Sequence, residues 1–142
     1  MPGDRIYTGL LVRRAQQAHL ALWQQLVSRD ISSPQFGVLS ELKLETGISQ
    51  ADLGAKLDLD KSTITDIVNR LDERGLITRT KDLTDRRKYQ LKLTKLGESE
   101  LRMLQPRVTQ MDKSLTKTLQ DDELDALHQL LLKLLDDYEA GR

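Results

Sequence analysis

The chain has 142 residues, with 22 Lys and Arg balanced by 22 Asp and Glu, no Cys, and 38% hydrophobic content. That size fits one domain with a modest core, and the missing thiols exclude disulfides, a redox switch and the softest metal ligands, leaving only His19 and His128 as imidazoles. The start, Met1-Pro2-Gly3-Asp4-Arg5, is followed by no uninterrupted apolar run, so neither a leader peptide nor a membrane span is expected, and a soluble cytoplasmic protein is.

In chain order, Leu11, Ala15, Ala18, Leu22 and Leu26 recur at helical spacing and predict a long first helix from about Tyr7 to Arg29. Ser33-Pro34 marks a second, capped start with proline at the first helical position, and the helix carrying Phe36, Val38, Leu39 and Leu42 should stop near Gly47. Ser49 can cap a third helix with Asp52 in its first turn and Leu53 and Leu57 on one face, while the small residues Ala51, Gly54 and Ala55 permit a close neighbour. After the turn Asp58-Leu59-Asp60, the Asp60 carboxylate can cap a fourth helix at the amides of Ser62 and Thr63. Ile64, Ile67, Val68 and Leu71 then face inward and leave Lys61, Ser62, Thr63, Thr65, Asp66, Asn69 and Arg70 outside. Short polar side chains near a helix N-terminus suit entry into a major groove; an ordinary solvated helix face would look the same.

Gly75 supplies a helix stop, and two strands follow, Ile77 to Lys81 and the alternating Tyr89 to Thr94. Between them Asp82-Leu83-Thr84-Asp85-Arg86-Arg87-Lys88 is a turn-rich tip with three consecutive cations, suited to a narrow minor groove or, more plainly, to a solvated charged turn. Thr94 can cap a fifth helix containing Leu96, Leu101, Leu104, Val108, Met111 and Leu115, with Pro106 as a possible kink. A sixth begins near Asp121, and its Leu124, Leu127, Leu130, Leu131, Leu134, Leu135 and Tyr138 form an apolar face too wide for a solvated helix. A second copy of the chain is the simplest cover; an intramolecular helical hairpin is the other.

Charge is divided along the chain. Residues 60–95 hold ten Lys and Arg against six Asp and Glu, a net of plus four, whereas 121–142 hold seven acids and two bases, a net of minus five. A basic centre facing phosphates and an acidic end facing away is the pattern expected of a DNA binder whose terminal segment does something else. The fold class that results is mainly α with a small β-wing: a winged helix-turn-helix with N- and C-terminal dimerisation helices.

The segment Asp85-Arg86-Arg87 with the strand ending Leu91-Lys92-Leu93-Thr94, and the junction Leu71-Asp72-Glu73-Arg74-Gly75-Leu76-Ile77, resemble the MarR (multiple antibiotic resistance regulator) family of winged-helix transcription factors over nearly the whole chain. The resemblance implies one domain over 1–142, with 1–30 and 100–142 as dimerisation helices and 33–97 as the DNA-binding lobe. It implies that Arg87 is the minor-groove residue, Asp85 the carboxylate orienting it and Arg86 a neighbouring contact, with Lys88 beside them. Thr63 and Thr65 match DNA-contacting positions of the recognition helix, with Lys61, Ser62 and Arg70 around them. Asp66 departs from the family's neutral or basic residue, and either accepts from cytosine or pairs with Arg70 one turn away.

A dimer would set two recognition helices in successive major grooves, roughly 34 Å apart, on a pseudo-palindromic operator in double-stranded DNA. The resemblance further implies a repressor released by a small aromatic or phenolic effector. Arg14, His19 and Trp23 on the first helix, with Phe36 and Met103, are the residues that could hold such a molecule, against the simpler use of Trp23 and His19 in packing. No cofactor or metal is expected, and no nucleophile, phosphate loop or ligand spacing suggests an enzyme. A winged helix serving protein interaction without sequence-specific DNA binding is the alternative function.

Overall fold

A computed structural model describes residues 6–140; the opening Met1 to Arg5, read above for its lack of a leader signature, lies outside the described residues, as do 141–142. Six helices and one two-stranded sheet follow in the order α1 (Thr8–Leu26), α2 (Ser33–Leu44), α3 (Gln50–Lys56), α4 (Lys61–Glu73), β1 (Ile77–Lys81), β2 (Tyr89–Leu93), α5 (Lys95–Leu115) and α6 (Asp121–Ala140).

Local chemistry sets most of the boundaries. The hydroxyls of Ser49 and Thr94 and the carboxylate of Asp60 accept from the amides of Asp52, Gly97 and Thr63, so α3, α5 and α4 all start where a short polar side chain can satisfy an orphan N–H. The Ser62 hydroxyl is a further donor to Asp60, at 3.0 Å. The α2 cap is Ser32, one residue before the expected Ser33, because Ser32 and Gln35 satisfy each other's backbone N–H in a reciprocal capping box. At its far end α2 stops at Leu44, and Gly47 turns the chain at φ +82°. Gly75 ends α4 at φ +74°, as its position predicts.

Helix α1 ends three residues earlier than its apolar spacing suggests. The Ser28 hydroxyl accepts from the amides of Asp30 and Ile31 at 3.0 Å each and offers the backbone an alternative to another helical turn. The connector that follows is tied at three carbonyls: the Trp23 indole N–H donates to Ile31, Arg107 to Val27 and Arg74 to Asp30.

The core lies where α2, α4, α5 and the base of the sheet meet, around Val38, Leu39, Leu42, Leu53, Ile64, Val68, Leu71, Ile77, Leu91, Leu101 and Leu104. All four inward positions expected of α4 are buried. A Cβ at Gly54 would sit 3.2 Å from the Ile64 side chain, so the close approach of α3 and α4 uses the missing side chain there. β1 and β2 pair antiparallel, Ile77 opposite Leu93 and Lys81 opposite Tyr89. The other edge of β2 is partly covered: Gly47 donates to the Leu91 carbonyl and Leu91 to that of Ile48, each at 3.0 Å. No sequence pattern marked this third, short edge.

Helix α5 continues through Pro106 and carries α1 along its side. Helix α6 stands apart, and its Leu127, Leu130, Leu131, Leu134 and Leu135 are exposed, so the intramolecular hairpin weighed above is not what covers this face.

The loop 82–88 is built on Asp82, whose carboxylate accepts from the Thr84 hydroxyl at 2.6 Å, the Thr84 amide at 2.8 Å, the Asp85 amide at 3.2 Å and, at its other oxygen, the Gln90 side chain at 3.4 Å. These donors, the Thr84 hydroxyl foremost, hold its carboxyl well below the ordinary carboxylate range.

Two outcomes follow. At Gly97 an added Cβ would collide with the Leu76 carbonyl oxygen. Gly97→Ala would gain about 1 kcal/mol of helix propensity but must move backbone at about 1–3 kcal/mol, so urea denaturation should report a net loss of stability. For Asp82 the folded-state pKa lies below the ordinary 3.8, so its contribution is complete above that value and is lost as pH falls through the depressed one. The protection of the Thr84 and Asp85 amides from hydrogen exchange, relative to their intrinsic rate at each pH, should fall only under acid well below 3.8, and Asp82→Asn should lower it at neutral pH.

Candidate nucleic-acid interface

The polar start of α4 and the wing flank one cavity of about 900 Å³, whose lining includes Gln50, Lys61, Thr65, Arg79, Arg87 and Lys88. Basic groups from three elements thus meet at the mouth that α3, α4 and the hairpin share.

On α4, Lys61, Ser62, Asp66 and Arg70 are exposed, while Thr63, Thr65 and Asn69 are half-buried. The Thr65 hydroxyl is already occupied, donating to the Lys61 carbonyl at 2.7 Å and accepting from the Gln50 side chain at 3.0 Å. What Thr65 retains for a base edge is chiefly its methyl group, the group that suits a thymine methyl. Gln50 was not foreseen at this site; its link to Thr65 spans fifteen positions and has no local signature. Asp66 and Arg70 form the one-turn ion pair that the sequence left open, Arg70 Nε to Asp66 Oδ2 at 3.1 Å. Both side chains are well exposed, so the pair contributes little to stability and is free to re-pair.

On the wing, Asp85 and Arg87 meet as the resemblance implies. Arg87 Nε donates to Asp85 Oδ1 at 3.1 Å and Nη2 to Oδ2 at 3.4 Å, while the Arg87 amide also reaches Oδ1. The guanidinium, and then the amide, hold the Asp85 carboxyl below its usual range. Arg87 is 91% exposed and Asp85 31%, so a half-sheltered carboxylate aims a fully presented cation. Arg86 and Lys88 are exposed beside it.

A residue absent from the expected set, Arg79 of β1, reaches across to α4. It donates to Asn69 at 2.9 Å, pairs with Asp72 at 3.3 Å and lies 5.6 Å from the Tyr89 ring centre.

The residues proposed for a small molecule divide. His19, Trp23 and Phe36 form an edge-on aromatic row, with ring centres 6.0 and 5.7 Å apart. Trp23 is 3% exposed, and its N–H is committed to Ile31, which makes it a core residue first. Arg14 and Met103 are exposed and stand outside that row. Among the described residues no His, Asp or Glu cluster fit for a metal ion occurs, and no helix is long and apolar enough to cross a membrane.

Comparison with known proteins agrees with this geometry. Residues 31–89 match the model of the MarR family. The chain is 36% identical over 135 residues to the HTH-type transcriptional repressor NicR of Pseudomonas putida, covering 94% of this chain and 85% of that one. Among solved structures, the PcaV transcriptional regulator of Streptomyces coelicolor in complex with its natural ligand superposes with a TM-score of 0.91 at 36% identity, covering 96% and 98% of the two chains. BpsR of Bordetella bronchiseptica, whose DNA binding is regulated by 6-hydroxynicotinic acid, superposes at 0.82 with 31% identity, covering 89% and 96%. The cap-bounded helix pair, the hairpin with its aimed arginine and these likenesses together establish that the chain belongs to the MarR family and is a DNA-binding transcriptional regulator rather than an enzyme.

Proposed function

We propose that the chain acts as a homodimeric repressor on a pseudo-palindromic operator and is released from it by a small aromatic acid. The observation that carries the DNA half is the pairing, around one cavity, of the polar start of α4 with a wing whose exposed Arg87 is held by Asp85. Ser62, Thr63, Thr65 and Asp66 read the major groove, Lys61, Arg70, Arg86 and Lys88 bind phosphates, and Arg87 enters the minor groove. Support for the dimer comes from the exposed leucines of α6 and from Leu10, Leu11 and Val12 at the exposed start of α1, a larger apolar surface than a solitary chain leaves in water. Residues 1–30 and 100–142 are then the dimerisation helices and 33–97 the DNA-binding lobe. The repressor reading draws on NicR, and the effector reading on the ligands of PcaV and BpsR together with the His19, Trp23 and Phe36 row.

Selection of bound fragments from genomic DNA should enrich a palindrome with half-sites one helical turn apart; no enrichment from folded, dimeric protein would favour the protein-interaction module instead. On the selected operator, Arg87→Ala should weaken binding about tenfold at every sequence variant and lower the salt slope by about one. Thr65→Ala should instead change the preference at one base pair by about 1–3 kcal/mol, and uniform loss from both would contradict the division of labour. Hydroxylated aromatic acids should displace the protein from its operator. His19→Ala should raise the concentration needed while leaving operator affinity intact; an unchanged displacement curve would remove His19 from the effector site.

A further inference from the structure

We propose that Arg79 is a positioning residue that fixes the angle between the wing and the recognition helix, so that Arg87 and the start of α4 engage one duplex together. The inference rests on the reading that both elements bind DNA.

Arg79 sits in the middle of β1, opposite Leu91, and its side chain leaves the sheet for α4. Nη1 donates to Asn69 Oδ1 at 2.9 Å, and Nη2 lies 3.3 Å from Asp72 Oδ2. Asn69 and Asp72 are three positions apart and therefore on one side of the helix, so a planar two-pronged cation can take both while a single ammonium point cannot hold the same geometry. The guanidinium carbon lies over the Tyr89 ring, 5.6 Å from its centre, two residues beyond Arg87 on the returning strand. One side chain thereby joins the recognition helix, β1 and the root of the cationic tip.

The same contacts argue against Arg79 as a phosphate ligand. Its side chain is only 29% exposed, and its charge already faces the Asp72 carboxylate. The tip itself reaches solvent through Arg86, Arg87 and Lys88 and is shaped internally by Asp82. That internal order sets the form of the loop but not its direction relative to α4. A flexible hairpin would still bind phosphate, but it would pay the ordering cost on each encounter and would lose the simultaneous fit of the two contacts.

The experiment measures operator affinity against salt for wild type, Arg79→Ala, Arg79→Lys, Arg87→Ala and the Arg79→Ala/Arg87→Ala double variant, with thermal melting of each to confirm folding. Both Arg79 variants should bind about tenfold more weakly, because Lys keeps the charge but loses the fork. In the double variant, Arg87→Ala should add little further loss and no second unit of salt slope, since the wing is already disengaged. Arg79→Lys binding like wild type, or losses that add fully with a salt slope lower by about two units, would identify a direct phosphate contact and overturn the proposal. Variants as tight as wild type would overturn it equally. Wild type that selects no operator would remove the DNA-binding reading itself, and this inference with it.

Discussion

The burial of one side of α4 is the constraint on which the rest of the molecule depends. Ile64, Ile67, Val68 and Leu71 insert into a core made by α2, α5 and the base of the sheet, and a helix seated by four apolar side chains cannot rotate about its axis without exposing them. The rotation of α4 decides which polar residues face outward, so the chemistry of its exposed face is set from inside. Gly54 lets α3 close on Ile64, and the Asp60 cap fixes the residue at which the helix begins. The sheet inherits its position in turn, because Gly75 ends α4 and Ile77 returns to the core two residues later.

Against this rigid seat the surface is deliberately underpaired. The Asp66–Arg70 and Asp85–Arg87 pairs are exposed at their cationic ends, so each holds an arginine in place at little cost in stability and can release it to a phosphate or a groove. The uneven distribution of charge, basic through the wing and acidic along α6, gives the same economy at longer range. A net charge of zero limits general adhesion to nucleic acid while leaving the local attraction of the basic centre.

What was legible in the sequence was local. Ser49, Asp60 and Thr94 cap helices through atoms no more than a turn away, the spacing of Ile64 to Leu71 encodes a buried stripe, and Asp85 reaches Arg87 across two positions. What was not legible was tertiary. Arg79 meets Asn69 and Asp72 only after a helix has ended and a strand has turned back, and the Gln50 contact with Thr65 depends on the crossing of two helices. Apolar periodicity overran α1 because hydrophobic spacing says which face is inward but not where a serine hydroxyl will divert the chain. Trp23 shows the same limit: four-residue spacing from His19 is visible in sequence, but the capture of its indole N–H by Ile31 is not.

That capture belongs to a connector with mechanical consequences. Between α1 and α2, the carbonyls of Val27, Asp30 and Ile31 are held by side chains from α5, the end of α4 and α1 respectively. A segment with three carbonyls pinned from three elements makes a poor hinge. A displacement of α1 would therefore be passed to the C-terminal end of α4 rather than absorbed within residues 27–31.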